Sequence, residues 1–370
     1  MSNPIHERLV PGTMIAGFRI EKQVGAGAMG VVYRAIQVSL DRPTALKVLP
    51  RELAKNKDFV DRFFNEARAA AAFSHPNIIQ AYDAGVTDDN ICYFAMEFVE
   101  GETLHDRIKR EKHLAPVTAL RIARDIAQAL EYGWQHQQLT HGDIKPANIM
   151  LTPRGETKLA DFGLAKVSNQ DIAGDDIMLT PLYAAPEVIQ GRATRDDSRS
   201  DIYSFGATLY HMLTGAPPFP GDDPDDVMHR QVNEALTPPK DRHPHIPSII
   251  SQFVTKLLDK SPANRPQSWR TIIQSIDRFL KLLARNSSVA KPADRKAKRA
   301  VPVAGRKPRP TRPPQKKPAV PVAIILFLVF LLAALLVALI YTGERETPAH
   351  ADTTSEKPLG PAGETDGKPP

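Results

Sequence analysis

Two short segments hold most of the side chains that could do chemistry. His141-Gly142-Asp143-Ile144-Lys145-Pro146-Ala147-Asn148 is followed by Asp161-Phe162-Gly163. Moving a phosphoryl group onto a hydroxyl needs a carboxylate beside the attacking oxygen and a lysine near the group in transit. It also needs an amide oxygen and a second carboxylate on metal ions. These residues supply all four. Upstream, Thr44-Ala45-Leu46-Lys47 puts a lysine near the end of a third strand, where a point charge can hold the inner phosphates of a nucleotide. Glu66 lies on the helical stretch that follows, and an ion pair with it would orient that lysine. Singly, a surface lysine and a solvated glutamate are ordinary; in this order they form one set.

Gly25-Ala26-Gly27-Ala28-Met29-Gly30-Val31-Val32 fits G-x-G-x-x-G-x-V, whose missing side chains let backbone N–H groups approach phosphates. Alone the match is weak, because it also fits the dinucleotide-binding fingerprint or an unliganded turn. A strand pattern rather than a helix follows it, which favours a loop folded over ATP.

The elements that must position these groups fall into two parts. Residues 18–24, 31–36 and 44–49 are short, β-branched and punctuated by glycine or by Asp41-Arg42-Pro43, so they read as strands. Residues 59–73 carry Phe59, Val60, Phe63, Phe64, Ala67 and Ala71 at the spacing of one helix face. A strand pair is expected at 78–82 and 92–98, with Cys92, the single cysteine, in the core. Beyond it the periods are nearly all helical, at 117–136, 200–213, 246–258 and 269–283. A strand-rich first lobe and a helix-rich second lobe make an α+β arrangement.

With these motifs in order over about residues 18–283, the chain resembles eukaryotic-type Ser/Thr protein kinases, in particular the membrane-anchored bacterial kind, whose glycine loop often ends in Met-Gly-Val-Val-Tyr as residues 29–33 do. The resemblance implies a two-lobed protein-kinase-like fold, small β-rich N-lobe and large α-helical C-lobe, that uses ATP and Mg²⁺. It makes Asp143 the catalytic base and Lys145 the charge stabiliser, with Lys47 and Glu66 as the orienting pair. Asn148 and Asp161 become the Mg²⁺ ligands. ATP would lie under residues 25–30, with Val32, Ala45 and Met150 around the adenine and Met96 as gatekeeper. The backbone of Glu97 to Val99 would bind the purine edge. Glu187, in Ala185-Pro186-Glu187, should pair with Arg265, and Asp201 should brace the catalytic loop. Lys145, two residues after Asp143, resembles the Ser/Thr branch, and Thr180 before Pro181-Leu182-Tyr183 agrees, since in the family it contacts the catalytic aspartate.

Two departures stand out. Most active members have arginine at the position of Gly142, where it receives a phosphorylated residue of the activation segment. Residues 170–178 hold no Ser, Thr or Tyr but do hold Asp171, Asp175 and Asp176. Activity independent of activation-segment phosphorylation is therefore expected. Leu179 replaces a frequent glycine, which bears on substrate docking and not on the phosphate machinery.

The 370 residues include 33 prolines, which cluster at 291–321 with eight and after Thr347 with five. Of 48 Lys/Arg and 42 Asp/Glu, residues 291–317 hold 11 and one, and residues 342–370 hold three and six. The remaining 34 and 35 nearly cancel, so the basic pI points to no nucleic-acid partner and none is expected. Residues 320–341 contain no charge; a helix over 322–341 would rise about 30 Å, enough to span a bilayer, with Tyr341 at its edge. The basic flank before it and mildly acidic tail after it place the preceding residues in the cytoplasm and the tail outside.

The expected organisation is an N-terminal extension over 1–11, a kinase domain over 12–286 and a basic Pro-rich juxtamembrane linker over 287–319. A transmembrane helix over 320–341 and a short disordered extracytoplasmic tail over 342–370 complete it. The linker suits attraction to anionic headgroups as well as a solvated spacer. Ala333, Ala334 and Ala338 offer a packing face for a homodimer, and Ser287, Ser288 and Thr311 are candidate autophosphorylation acceptors. Three readings compete: an active kinase acting on protein substrates, a catalytically silent docking module, for which Gly142 leaves room, and a receptor, against which the short polar tail argues. The complete set of catalytic groups favours the first.

Overall fold

The computed structural model describes residues 9–27, 30–161, 181–193 and 197–289, the side chains through 285. They belong to one compact unit, Met1–Asp294. The tip of the glycine loop, the residues around Ser168 and Thr180, and everything expected of 290–370, including the membrane span, lie outside the described residues.

The first lobe is an antiparallel sheet in the order β1-β2-β3-β4-β6-β5. Its strands are β1 (Met14–Ile15), β2 (Phe18–Gly27), β3 (Gly30–Gln37), β4 (Arg42–Val48), β5 (Ala81–Val86) and β6 (Cys92–Glu97), with helices α1 (Arg51–Ala54) and α2 (Lys57–Ala71) between β4 and β5. Side chains alternate across a strand, so each strand serves two faces. Phe18, Ile20, Tyr33, Leu46, Tyr93 and Ala95 pack on one face; Ala45, Phe94 and Met96 pack on the other against Phe63, Ala67 and Ala70 of α2. The Asn56 side chain caps α2 by accepting the Asp58 N–H at 2.8 Å, which satisfies one of the unpaired donors at a helix start.

The second lobe contains β7 (Glu102–Thr103), α3 (Leu104–Glu111), α4 (Pro116–Gln137), β8 (Ile149–Leu151) and β9 (Thr157–Leu159). It continues with α5 (Pro186–Ile189), α6 (Arg199–Thr214), α7 (Pro224–Asn233), α8 (Pro239–Arg242), α9 (Ser248–Leu257) and α10 (Trp269–Val289). Every residue of α6 from Asp201 to Thr214 is buried, so this helix is the axle of the lobe. Ile202, Phe205 and Leu209 share one core with Ala123 and Ile126 of α4, Val254 of α9 and Trp269 and Ile276 of α10.

Four expectations need correction. Because β1 precedes them, Lys47 stands on the fourth strand in chain order. The strand expected at 78–82 begins at Ala81, since the peptide groups before it are engaged elsewhere: Ile79 N–H donates to Leu159 C=O at 3.0 Å and Leu159 N–H to Asn77 C=O at 2.8 Å. Ala71 is exposed, and Ala70 takes its place in the core because the helix closes there. The helix-rich lobe also holds a small sheet, β7-β8-β9, whose two- and three-residue strands are too short to show a period. At the edges, packing begins at Leu9, whose N–H donates to the Tyr33 hydroxyl, and α10 continues three residues past 286. Among the described residues no helix is long and apolar enough to cross a membrane.

Candidate active site

The glycine loop is the turn between β2 and β3. Gly27 and Gly30 are cross-strand partners, as are Gly25 with Val32 and Ala26 with Val31; Ala28 and Met29 lie outside the described residues. Val32 pairs with Lys47 across β3 and β4, and Ala45 pairs with Met96 across β4 and β6. Directly opposed residues share a face, so Val32, Ala45, Lys47 and Met96 line the side of the sheet that α2 covers.

Glu66 is buried because it sits inside the apolar stripe of α2, between Phe63 and Ala70. A carboxylate there requires a charged partner. Lys47 provides it, with Nζ 2.7 Å from Glu66 Oε1 and 2.9 Å from Oε2. Asp161 Oδ1 lies 3.9 Å from the same ammonium. Burial pushes the Glu66 carboxyl up to about 7; the Lys47 ammonium opposes the rise, and the Asp161 carboxylate adds to it. Burial would lower Lys47, but Asp161 and Glu66 hold its ammonium above the ordinary lysine value.

The loop between α4 and β8 is anchored from below. Asp201, on the first turn of α6, accepts the N–H of His141 at 2.6 Å and of Gly142 at 2.9 Å. Burial raises the Asp201 carboxyl, and the His141 ring and these two N–H groups oppose it. The His141 ring spans the loop: Nε2 is 2.9 Å from the Ala160 carbonyl, and Nδ1 accepts the Asp143 N–H at 3.2 Å. One tautomer, protonated on Nε2, satisfies both contacts. Gly142 has φ +80°, a left-handed conformation that glycine holds without steric cost.

Above this anchor, Asp143 Oδ2 accepts Lys145 Nζ at 2.7 Å and Asn148 Nδ2 at 3.0 Å. Asn148 Nδ2 also reaches the Asp143 carbonyl at 2.9 Å, which directs the amide oxygen elsewhere. Asn148 ends the 3₁₀ turn Pro146–Asn148 that leads into β8, and Asp161 follows β9; the Ala160 N–H donates to the Asn148 carbonyl at 2.9 Å. The β8–β9 hairpin thus carries both groups at its feet. Asp161 has φ +57°, uncommon for a residue with a Cβ, and such strain persists where the surroundings impose it.

Met150, half-buried on β8, pairs with Thr103 and Lys158, and Val99 is buried where the chain passes between the lobes. The Glu97 N–H donates to the Gln80 carbonyl at 2.9 Å. A purine edge would therefore meet Glu97 through its carbonyl rather than its N–H. Below the cleft, Glu187 and Arg265 make the expected pair, at 2.6 and 2.9 Å. The guanidinium also donates to the carbonyls of Asp259 and Arg199, each at 2.8 Å.

Two positioning residues escaped the sequence. Lys158 Nζ lies 2.7 Å from Glu97 Oε1, tying the segment between the lobes to β9; a lysine inside a three-residue strand gives no signal of this. Gln231, fully buried, donates to the carbonyls of Pro181 at 3.0 Å and Leu182 at 2.9 Å and accepts the Tyr203 hydroxyl. Its one trace is a polar residue four positions after buried Val227 on the inner face of α7.

Comparison with known proteins agrees with this geometry. The family model described as "Protein kinase domain" matches residues 18–276. A probable serine/threonine-protein kinase of Clostridium perfringens is 39% identical over 260 residues, covering 70% of this chain and 37% of its own length. Serine/threonine-protein kinase PknB of Mycobacterium tuberculosis is 37% identical over 265 residues, covering 70% of this chain and 42% of its own. The match therefore spans about two fifths of these curated relatives. The crystal structure of the Mycobacterium tuberculosis PknI kinase domain superposes with a TM-score of 0.57 at 28% identity, over 73% of this chain and 99% of that one. With the family model covering most of its length and its motifs assembled at one cleft, the chain belongs to the protein kinase family.

Proposed function

We propose that this chain is an active Ser/Thr protein kinase, transferring the γ-phosphoryl group of ATP to Ser/Thr hydroxyls of proteins at the cytoplasmic face of a membrane. The observation that carries this is the closed Lys47–Glu66 bridge with Asp161 beside it, because a lysine so held is placed to meet the phosphates of a nucleotide. The donor set fits a hard dication: Asn148 has its amide nitrogen committed to Asp143, leaving its oxygen for a metal, and Asp161 adds a carboxylate. Mg²⁺ keeps several waters and takes few protein oxygens beside phosphate oxygens, as such a pair offers.

ATP with Mg²⁺ supplies the transferable phosphoryl group and neutralises its charge. The chain does the positioning. Lys47, held by Glu66, would present its ammonium to inner phosphates, and backbone N–H groups of the glycine loop would cover them. Val32, Ala45 and Met150 would enclose the base, with Met96 limiting its depth and Val99 N–H and Glu97 C=O reading its edge. Asp143 accepts the proton of the attacking hydroxyl, and Lys145, 2.7 Å away, stabilises charge on the group in transit.

The charge-free stretch 320–341 supports anchoring by one helix, and the basic stretch before it supports a cytoplasmic kinase domain with 342–370 outside. Tethering in one bilayer raises local concentration and favours autophosphorylation between chains, with Ser287, Ser288 and Thr311 within the tether. A rate per molecule that does not change with surface density in vesicles would remove the dimer from this reading.

The test is phosphate incorporation into a generic basic protein by the full chain with Mg²⁺-ATP, beside Asp143→Asn and Lys47→Met. Incorporation on Ser/Thr that both variants abolish is expected. Folded protein that binds nucleotide but transfers nothing would make the chain a docking module instead.

A further inference from the structure

Three histidines meet on the second lobe, at the C-terminal end of α6, whereas Asp201 at its start holds the catalytic loop. His113 follows α3, while His243 and His245 flank Pro244 after α8. One ring nitrogen from each lies within 4.8 Å of the others, and the ring centroids are 4.9, 5.1 and 5.3 Å apart. His113 and His243 are half-buried and His245 is exposed.

Hydrogen bonding leaves the cluster incomplete in a specific way. His243 Nε2 is 3.0 Å from the Thr214 carbonyl, to which it can only donate, so Nδ1 carries the lone pair. A metal-binding histidine has this arrangement, with its second nitrogen fixed by a backbone carbonyl. His113 Nδ1 is shut off from solvent and has no hydrogen-bond partner among the described residues. A buried, unsatisfied ring nitrogen costs free energy that a bound cation would recover.

The scaffold is stiff on two sides and soft on the third. Gly215, at φ +78°, ends α6 so close to the α3–α4 connection that a Cβ there would stand 2.0 Å from the Lys112 carbonyl oxygen. The Leu114 N–H donates to the Met212 carbonyl at 2.7 Å, so His113 is fixed from both neighbours. His243 is fixed by its ring bond and by its N–H to the Pro239 carbonyl at 3.0 Å. Tetrahedral zinc with nitrogen ligands needs nitrogens about 3.3 Å apart. The exposed His245 can supply the closure of about 1.5 Å that this requires.

We infer that His113, His243 and His245 form a binding site for one transition-metal dication, zinc being the fitting member, with the fourth position open to water. Three neutral imidazoles suit zinc, copper and nickel and disfavour Mg²⁺ and Ca²⁺, which take oxygen ligands. The metal would clip the α3–α4 connection to the segment after α8 across the end of α6. Asp201 and Thr214 are 13 residues apart on that helix, about 20 Å along its axis, so this site is separate from the catalytic metal ligands.

The test uses the untagged, metal-stripped full chain in detergent, in excess Mg²⁺ to keep the catalytic ligands occupied. Equilibrium dialysis against zinc chloride should give one zinc per chain, and the thermal midpoint should rise with zinc. Cobalt(II) in place of zinc should show the visible absorption of a tetrahedral site. His245→Ala should weaken binding at least tenfold, and His243→Ala/His245→Ala should abolish it, both with unchanged kinase activity as proof of folding. No zinc retained by the parent chain, or equal zinc retained by the double variant, would overturn the site.

Discussion

Lys47 Nζ is within hydrogen-bonding reach of both carboxylate oxygens of Glu66, and the glutamate is almost wholly buried. Both contacts describe an ionised carboxylate, yet burial holds that carboxyl up at about 7. Protonation below that pH weakens the bridge, so kcat/KM should fall on the acid side with a midpoint near 7, and Glu66→Gln should lose this limb together with most activity. The stability effect has the opposite sign. Between the ordinary carboxylate value of 4.5 and about 7 the folded state holds a proton that the unfolded state does not, so this group's contribution declines as pH rises through the window. A pH-rate profile alongside denaturant melts separates the two trends.

Arg265 and Glu187 form a second buried pair, remote from phosphate chemistry. The Arg265 guanidinium is closed to solvent, and burial would raise Glu187, but the hydrogen bonds and charge of Arg265 hold its carboxyl below the ordinary range. Removing one partner leaves an uncompensated buried charge, so Arg265→Ala should cost about 3–5 kcal/mol. Urea unfolding measures it; a loss under 1 kcal/mol would show that the pair is dispensable.

His211 offers an acid-sensitive point in the core. The Tyr183 hydroxyl meets its Nδ1 at 2.8 Å, and burial, with His105 adding to it, pushes the imidazole down to about 4 from 6.5. Its stabilising contribution is present above 6.5 and is lost as pH falls through 4, because the unfolded chain takes up the proton first. The full span corresponds to roughly 3 kcal/mol. His211→Gln should flatten the fall in urea midpoint between pH 7 and 4.5, and an unchanged slope would count against the assignment.

Gly142 needs no phosphate to hold its conformation, and residues 170–178 offer no hydroxyl. Ser168→Ala should therefore keep full activity. Complete loss in that variant would reinstate a phosphorylation switch. Gly142→Ala should be destabilised by about 1 kcal/mol, since a side chain at positive φ is strained.

The residues that meet at the candidate site were legible because their types are those the chemistry requires and their order follows one chain path. The long amphipathic helices were legible because burial on one face writes a period, as in α2 and α4. Contacts that join distant segments left no such trace. Lys158 on Glu97, Gln231 on Pro181 and the shift of β5 to Ala81 each depend on a group that another, distant element supplies. The short strands of the second sheet fall below the length at which alternation can be seen. The three histidines sit about 130 residues apart in sequence at their extremes, where nothing local marks them as neighbours.

The β8–β9 hairpin holds Asn148 and Asp161 at its feet, while its turn, residues 153–156, is exposed. Asn148 and Asp161 are held together by the Ala160–Asn148 hydrogen bond and not by the arc of chain between the strands. Length at Arg154–Gly155 is therefore a free variable for protein engineering: a fluorophore or peptide tag grafted there would ride a few residues from the reaction centre without altering its spacing. Unchanged turnover in such a graft would give this enzyme a reporter placed beside its own chemistry.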